Sequence, residues 1–434
     1  MKIVRSFQEA TRLLAREVPE HGRHLALMGA PKKKGKKISE EQIVNEILNE
    51  VRARGDSALF EYTKKLDGVE IHSLELSKNE ISAAYKAVDG KLVAALKLAA
   101  RRIEDFHSVC RQRLSTGFLR RGLGRQVRAL DKVGIYVPGG TASYPSTVLM
   151  TAIPARVAGV KEIIMTTPPG RNGTVRPLTL VAADIAGVDR IFRIGGAQAI
   201  AALAFGTESV PKVDKICGPG NRFVVLAKKM VFGAVTIESL AGPSEVVIVA
   251  DDTADPVLCA ADLLAQAEHD AQAFVALVTV SPKLARSVSA EIQRQLKELE
   301  RKDIASKSIS KGVVAVVDSL DEAIELVNLC APEHVSLMLG EASAYVDKVR
   351  NAGCIFVGGD SAVALGDYIA GPSHVLPTGG SARFSSPLGV EDFLKITNII
   401  ALGSGNTRRL GKAAIAIAEA EGLSGHARAI KMRI

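Results

Sequence analysis

The feature that most constrains the fold is a regular alternation of short β-rich runs and alanine-rich helical patterns through the middle of the chain. Strands that alternate with helices are typical of βαβ units, which place parallel strands in one sheet and cover both of its faces with helices. Two sets of runs are divided near Gly242-Pro243. The predicted strands are residues 133–137, 162–167, 190–194 and 214–217 in the first set, and 245–250, 274–280, 312–317, 335–339 and 354–357 in the second.

The stretches between these runs complete two doubly wound, Rossmann-like modules. Their apolar residues recur at the spacing that places them on one face of a helix. The predicted helices are residues 197–205, 222–232, 256–269, 282–301, 320–331 and 344–351. The chain is therefore predicted to be an α/β protein.

Helical segments precede and follow the modules. Apolar spacing predicts a helix over residues 39–54, closed by Gly55-Asp56, and a second helix over residues 92–109. Residues 390–434 are predicted to form a short helical tail. A segment of that size cannot bury a core by itself, so we expect it to pack against another surface.

The composition is that of an ordinary globular chain, with 47% hydrophobic and 24% charged residues over 434 positions. Because no apolar stretch reaches membrane-spanning length and the first residues lack a signal-peptide core, we expect a cytoplasmic protein. The five cysteines are widely spaced and form no C-x-x-C pair, which is typical of a reducing compartment. A catalytic thiol is an alternative, although its apolar neighbours favour a helix core for Cys330.

The formal charge of +9 is concentrated in one short segment. Residues 32–37, Lys-Lys-Lys-Gly-Lys-Lys, supply five of the positive charges. A basic run can bind polyanions, so a nucleic-acid-associated protein is one alternative function. The chain has no Trp and no recognised nucleic-acid-binding motif, which favours a solvated basic loop.

The adjacent residues Glu333 and His334 lie between a helical run and a strand-like run. Neighbouring side chains at a strand end can both reach a pocket at the edge of a sheet. There a carboxylate can activate a water molecule, and an imidazole can accept the proton of an alcohol. The pair therefore predicts alcohol-to-acid chemistry, whereas an isolated Glu-His pair is more often a solvated loop feature.

A second group of side chains has the donor types of a metal site. Gln266 and His269 stand three residues apart near the end of a predicted helix, so both lie on one face. Such a pair alone more often caps a helix. Asp367, in a loop interrupted by Gly and Pro, and His426, near the C-terminus, would complete a nitrogen and oxygen set that suits zinc.

The cofactor pattern is unusual. No G-x-G-x-x-G motif follows a strand with an acidic residue about twenty positions on, so the common dinucleotide fingerprint is missing. Three loops with glycine follow predicted strands instead, at residues 136–140, 195–198 and 218–221. They carry Tyr136, Gln198 and Asn221, and their glycines would let the backbone approach phosphate oxygens. Tight turns without a ligand are the alternative.

Motifs along most of the chain closely resemble those of the histidinol dehydrogenase family. The resemblance runs from about the first helix to the C-terminus. In order, its motifs are Tyr-Val-Pro-Gly-Gly (136–140), Gly-Pro-Gly-Asn (218–221), Gly-Pro-Ser-Glu (242–245), Leu-Ala-Gln-Ala-Glu-His (264–269), Pro-Glu-His-Val (332–335), Gly-Asp-Tyr-Ile-Ala-Gly-Pro (366–372) and Glu-Ala-Glu-Gly-Leu-Ser-Gly-His (419–426).

The resemblance implies an aldehyde-dehydrogenase-like arrangement of the modules. Residues 1–24 would form an N-terminal helical segment. Residues 25–135 and 250–388 would form a discontinuous module with the substrate and zinc site, and residues 136–249 the NAD-binding module. Residues 390–434 would be a tail that crosses to the partner subunit of a homodimer.

The resemblance also implies an activity, the oxidation of L-histidinol through the aldehyde to L-histidine with two NAD+ reduced in sequence. His334 would be the base and Glu333 would activate water. The implied ligands of one zinc ion per subunit are Gln266, His269, Asp367 and His426. The implied substrate-binding residues are Ser244, Gln266, His269, His334, Asp367, Glu421 and His426, of which Glu421 and His426 would act in the partner's site. The implied NAD-binding residues are Tyr136, Gln198 and Asn221.

The sequence departs from the family pattern at a few positions, and two related activities remain as alternatives. Ser373 stands where Asn is common, and residues 238–240 read Glu-Ser-Leu where Asp-Met-Pro is frequent. His374 is expected to support the metal loop without binding the ion. The alternatives are a related zinc- and NAD-dependent dehydrogenase of another diol, such as a sulfonated propanediol, and a thiol-dependent aldehyde dehydrogenase. Glu421 and His426 favour a substrate that carries an amine and an imidazole.

Overall fold

The computed structural model of the chain describes residues 1–15, 39–139 and 143–434. The basic run at residues 32–37 and Gly140 of the first cofactor loop lie outside the described residues. None of the helices within the described ranges is long and apolar enough to cross a membrane.

The N-terminal part contains helices and a β-hairpin. Its second helix begins with a capping box, in which the Ser39 hydroxyl accepts from the Gln42 amide and the Gln42 side chain accepts from the Ser39 amide. That helix ends at Gly55, as the sequence predicts. The elements are β1 (Lys2–Val4), α1 (Phe7–Leu14), α2 (Glu40–Arg54), α3 (Asp56–Tyr62), a π-helical turn (Thr63–Asp67), α4 (Lys78–Lys86), α5 (Gly90–Arg113), β2 (Gly117–Arg120) and β3 (Leu123–Ala129).

The first module is a five-stranded parallel sheet in the order β6-β5-β4-β7-β8. The strand order reverses between β4 and β7, and α/β sheets bind ligands beside such a reversal. Its elements are β4 (Lys132–Tyr136), α6 (Pro145–Ala158), β5 (Glu162–Thr166), α7 (Pro177–Ile185), β6 (Arg190–Phe192), α8 (Gly196–Phe205), β7 (Lys215–Cys217), α9 (Arg222–Val231) and β8 (Thr236–Ile237).

The second module is a six-stranded parallel sheet in the order β1-β11-β10-β9-β12-β13, with its reversal between β9 and β12. Every residue of β9 is buried, as expected for a strand covered on both faces. The elements are β9 (Glu245–Ala250), α10 (Pro256–Ala267), β10 (Phe274–Thr279), α11 (Pro282–Gln295), α12 (Lys302–Lys311), β11 (Val313–Val316), α13 (Leu320–Cys330), β12 (His334–Met338), β13 (Cys354–Val357) and α14 (Val363–Tyr368).

The tail begins with a strand. It contains β14 (Leu394–Ile400), α15 (Ser404–Ala420) and α16 (Ser424–Lys431). Strand β14 pairs antiparallel with β3, which also pairs with β2, so a small antiparallel sheet joins the tail to the body. The two tail helices pack chiefly against each other, where Gly411 lets α15 approach Ile430 and Ile434.

The predicted α/β class is confirmed, and each predicted strand run forms a strand. Two predicted helices differ from the structure. The predicted helix over residues 344–351 is a 3₁₀ helix over Ala342–Lys348, where Val346 and the C-cap residue Val349, three positions apart, both pack against the core. The predicted helix over residues 282–301 ends at Gln295, and α12 forms as a separate helix before β11.

The grouping of the N-terminal residues also differs from the prediction. Residues 2–4 form strand β1, which pairs with β11 at the edge of the six-stranded sheet, so residues 1–24 are not purely helical. Helices α2, α4 and α5 pack on the helices of the five-stranded sheet, although the prediction places residues 25–135 with the other module. A helix shows its apolar face in the sequence, but the sheet that this face covers is set by tertiary packing.

Candidate active site

The Glu333-His334 pair lies at the beginning of strand β12, and Glu245 begins the neighbouring strand β9. The pair therefore lies at the start of its strand and not at its end, so the site is at the amino edge of this sheet. The loop after Pro372 connects this edge to the other module, because the Ser373 hydroxyl donates to the Met150 carbonyl of α6. The candidate site thus lies where the two modules meet.

Glu245, which was not among the predicted site residues, holds Glu333 and His334 in place. Its backbone amide donates to Glu333 Oε2 at 2.8 Å, and its own Oε2 accepts from the Glu333 amide at 3.3 Å. Its Oε1 accepts from the Gly379 amide at 3.0 Å. The sequence signal was present, since Glu245 is a charged residue at the start of an otherwise apolar buried strand, where ionisable groups are rare unless paired.

Hydrogen bonding fixes the tautomer of His334. Its Nδ1 lies 2.8 Å from the carbonyl oxygen of Glu245, which can only accept, so Nδ1 carries the proton. The other nitrogen, Nε2, is left as a proton acceptor and lies 3.8 Å from Asp367 Oδ1. Burial lowers the pKa of His334 to about 4, so the ring is neutral near pH 7.

Glu333 has the opposite shift. Burial is the main cause that raises its pKa well above the usual range, and the nearby carboxylates Glu245 and Asp367 raise it further. The Glu245 amide holds Oε2, while 9% of the side chain stays accessible. A cation beside these carboxylates would return Glu333 to its ionised form.

A cavity of about 370 Å³ opens beside this pair. Volumes of this size are typical of sites for small molecules. Cys354 lies on its wall, but burial raises the pKa of that thiol to about 11, so it is not the thiolate that a covalent mechanism needs. None of the five cysteines forms a disulfide, and Cys330 is buried in helix α13. The cavity lining includes His334, Cys354, Phe356, Asp367, Ser373 and His374.

His374 supports the loop that carries Asp367. Its Nδ1 lies 2.8 Å from the Asp367 carbonyl oxygen and therefore donates to it. Its Nε2 lies 3.4 Å from the Thr147 hydroxyl of helix α6. With both nitrogens engaged, the ring orients the loop across the module boundary.

The predicted metal ligands come together only in part. Gln266 is buried near the end of α10, and His269 follows that helix. His269 lies close enough to His334 to lower its pKa, and Glu268 and Asp367 both raise the pKa of Tyr368. The end of α10 therefore faces the Asp367 loop.

These residues fit a divalent cation. Burial raises the pKa of Asp367 to about 6, and no described residue donates a hydrogen bond to its carboxylate. Desolvation lowers the pKa of His269, which favours the neutral ring that a metal binds. However, within the described residues no three His, Cys, Asp or Glu side chains converge to hold a metal ion. A metal ion at this position would need a further ligand.

The tail residues Glu421 and His426 do not reach this cavity within the chain. Both are exposed, Glu421 at the end of α15 and His426 in α16. Large apolar side chains beside them are also exposed, including Ile417 at 61% and Met432 at 76%. Ser244, in contrast, lies directly before Glu245 at the amino edge of β9.

The three cofactor loops meet at the carboxyl edge of the five-stranded sheet. Tyr136 is buried, and its hydroxyl accepts from the Gly196 amide at 3.2 Å. Gln198 is buried with no hydrogen-bond partner for Oε1 in the described part of the chain. Asn221 caps helix α9 by accepting from the Phe223 and Val224 amides. The structure thus brings these three loops together at one edge of the sheet.

A buried ion pair holds the third loop, and the sequence analysis did not identify it. Lys228 Nζ lies 2.7 Å from Glu238 Oε1 and donates to the Gly218 carbonyl at 3.0 Å. Glu238 Oε1 also accepts from the Gly218 amide at 2.8 Å. The glutamate that departs from the family pattern is therefore a support of the loop at Gly218.

A second cavity, of about 430 Å³, opens at the ends of β4 and β5. Pro138 and Gly139 of the first cofactor loop form part of its wall. The other lining residues include Asp67, Pro168, Pro169, Arg171 and Thr179.

Two doubly wound modules, with a neutral histidine on the wall of a cavity at the edge of the second sheet, define an α/β protein whose candidate site suits proton transfer. The family model described as "Histidinol dehydrogenase" matches residues 30–434. The chain belongs to the histidinol dehydrogenase family, whose members are NAD-dependent oxidoreductases.

Individual relatives agree with this assignment. The histidinol dehydrogenase of Clostridium acetobutylicum is 51% identical over 89% of this chain and 90% of its own. That of Dehalococcoides mccartyi strain CBDB1 is 48% identical, with both chains fully covered. The crystal structure of histidinol dehydrogenase from Elizabethkingia anophelis matches with a TM-score of 0.90 at 36% identity, over 100% of this chain and 98% of that one.

We predict that Gly218→Ala destabilises the protein by about 2 to 4 kcal/mol. Gly218 has a φ of +114°, and a Cβ there would overlap the Tyr136 carbonyl oxygen. Gly233→Ala is the matched control, because Gly233 has a φ of +102° with no heavy atom within 4 Å of the added Cβ. Denaturant unfolding would measure both. Equal losses in the two variants would show that the close approach to Tyr136 is not a constraint.

Proposed function

We propose that the chain oxidises L-histidinol to L-histidine through L-histidinaldehyde, with two NAD+ reduced per substrate, at the end of histidine biosynthesis. The observation that carries this proposal is the unprotonated Nε2 of His334 at the cavity, in a chain of this family. The five cysteines, none of which forms a disulfide, suit a reducing compartment, and the proposal places the protein in the cytoplasm.

In the first oxidation, His334 Nε2 accepts the hydroxyl proton of the alcohol while a hydride passes from the same carbon to NAD+. The products are the aldehyde, NADH and a proton held on the imidazole. The imidazolium is stabilised by the Glu245 carbonyl on Nδ1 and by Asp367 near Nε2. Because the ring is already in the accepting tautomer, no rearrangement precedes proton transfer.

In the second oxidation, Glu333 removes a proton from the water that adds to the aldehyde. Its Oε2 is held by the Glu245 amide, which leaves Oε1 for the water. The proton that His334 took in the first oxidation passes to the oxyanion formed by this addition, which leaves a neutral hydrate and a neutral ring. The hydrate then loses a hydride to the second NAD+ and a proton to His334, which gives the carboxylic acid. A carboxyl whose pKa is raised by burial is a stronger base once it is ionised.

The proposed zinc site combines Gln266, His269 and Asp367 with His426 of a second chain. When bound, the ion would anchor the imidazole and amine of the substrate, which is a positioning role. Its charge would also compensate the carboxylates around Glu333. Ser244 and Glu421 would complete the substrate contacts.

The proposed homodimer follows from the tail. Helices α15 and α16 expose apolar side chains in the single chain, and the cavity lacks the ligand that His426 would provide. A tail that docks on the partner would cover these apolar side chains and supply His426 as a ligand. Glu421 and His426 would then act in the partner's site.

We expect the wild-type protein to form two NADH per L-histidinol, and Glu333→Gln to stop after one. The amide cannot take a proton from water, so the aldehyde would accumulate. Rapid-quench analysis of aldehyde and acid, together with NADH absorbance, would measure this. A sulfonated propanediol serves as the alternative substrate, and NADH formed from it but not from L-histidinol would contradict the proposal.

We expect His269→Ala to lose zinc, while the dimer stays folded. The ligands lie on a helix end and on loops of a formed core, so the ion is not needed for folding. Metal content by mass spectrometry and dimer mass by light scattering would test this. His72→Ala, at an exposed histidine, is the control and should retain about one zinc per chain. Full zinc content in the His269 variant would exclude this ligand set.

Two separately inactive variants should restore activity when their subunits are mixed. In a heterodimer of a Glu333→Gln/His334→Ala chain and a His426→Ala chain, one of the two sites would contain every wild-type group. Random pairing predicts about a quarter of wild-type activity, because half of the dimers carry one intact site. Heterodimers that are verified by mass but inactive would mean that each site is built from one chain.

A further inference from the structure

In the common dinucleotide fingerprint an acidic residue binds the ribose of the cofactor. This chain lacks that fingerprint, but Asp67, from another part of the chain, is a candidate for the same role. Asp67 lies on the wall of the second cavity, beside Pro138 and Gly139 at the end of β4. It is the last residue of the π-helical turn Thr63–Asp67, a conformation that is frequent at functional sites. No acidic residue of the β5 end itself is among those that line this cavity within the described chain.

The Asp67 carboxylate is poised for a ligand. Its Oδ2 is buried and has no hydrogen-bond partner in the described residues. Burial raises its pKa to about 6, so it is still mostly ionised at neutral pH. Asp67 also lies close enough to Tyr136 to raise the pKa of that phenol. A buried oxygen left without a donor costs stability, so a donor from outside the chain would relieve this cost.

The position of the cavity in the sheet indicates which part of a dinucleotide would occupy it. In a doubly wound sheet the dinucleotide crosses the strand reversal, and an acid at the end of the second strand binds the ribose of the adenosine half. Here the strand order reverses between β4 and β7. The second cavity lies at the ends of β4 and β5, the first and second strands of this sheet along the chain. The walls suit both parts of adenosine. Pro138, Pro168 and Pro169 offer flat apolar surfaces for the purine, and Asp67 offers an acceptor for the ribose.

We propose that Asp67 accepts hydrogen bonds from the adenosine ribose hydroxyls of NAD+ and thereby sets the preference for NAD+ over NADP+. The inference rests on the proposed use of NAD+ and deepens it. A carboxylate accepts from a free 2′-hydroxyl but repels a 2′-phosphate, whereas Arg171 in the same wall attracts a phosphate. Asp67 therefore decides between the two cofactors at a site where the remaining charge would favour the phosphorylated one.

The test is a comparison of Asp67→Asn with wild type by calorimetric titration. NAD+ should bind about 10- to 100-fold more weakly to the variant, the range for a lost hydrogen bond to a charged group. NADP+ should bind more tightly to Asp67→Asn than to wild type, because the negative charge that repels its 2′-phosphate is gone. An NAD+ analogue with 2′-deoxyribose in its adenosine half should bind more weakly than NAD+ to wild type, but not to the variant. The KM for NAD+ should rise while kcat stays near wild type.

Glu70→Gln is the matched control, because this acid lies three residues away, has a side chain that is 66% exposed and pairs with Lys64. It should leave every binding constant unchanged. The melting temperature of Asp67→Asn should not fall, since the substitution removes an unpaired buried carboxylate. A lower melting temperature with equal losses for NAD+ and the deoxy analogue would assign Asp67 a structural role and overturn the inference, as would unchanged NAD+ binding. If wild type binds NAD+ with this Asp67 dependence but forms no NADH from L-histidinol, the proposed function fails and the inference stands.

Discussion

The site depends on Glu245, which joins two neighbouring strands at their first residues. Its amide and its carboxylate exchange hydrogen bonds with Glu333, and its carbonyl oxygen accepts from His334. Its second carboxylate oxygen holds Gly379, in the loop that follows His374. One residue therefore fixes the orientation of the carboxylate, the tautomer of the imidazole and the position of the loop. A buried polar network of this kind is stable only when its members are satisfied together, so a loss at Glu245 would affect all three.

Burial shifts the pKa values of the two predicted catalytic groups in opposite directions. The protein interior holds His334 in its neutral form and favours the protonated form of Glu333. Both shifts reduce the charge that is buried between the modules. The same surroundings, rich in carboxylates, are favourable for a cation, which supports the proposed metal site near Asp367.

The sequence predicted the strands well because their apolar runs are buried on both faces, as in β9. It also indicated that Glu333 and His334 lie side by side at a strand end, and that His374 lies close to the loop of Asp367. It could not show that helices α2, α4 and α5 cover the five-stranded sheet, since an apolar helix face fits either sheet. Glu245 and the Lys228–Glu238 pair were missed because their roles depend on partners that are distant in the sequence or on burial that only the fold creates.

The exposed apolar face of the tail has a consequence for the life of a newly made chain. A chain with its tail undocked is fully folded in its two sheets, yet it presents side chains such as Ile417 and Met432 to water. Such a surface favours association with any apolar partner, including quality-control machinery. If the tail docks as proposed, a chain leaves this vulnerable state and gains its chemistry in the same encounter. Maturation would then depend on how many copies are present, so the cell would hold few chains that are stable but inactive.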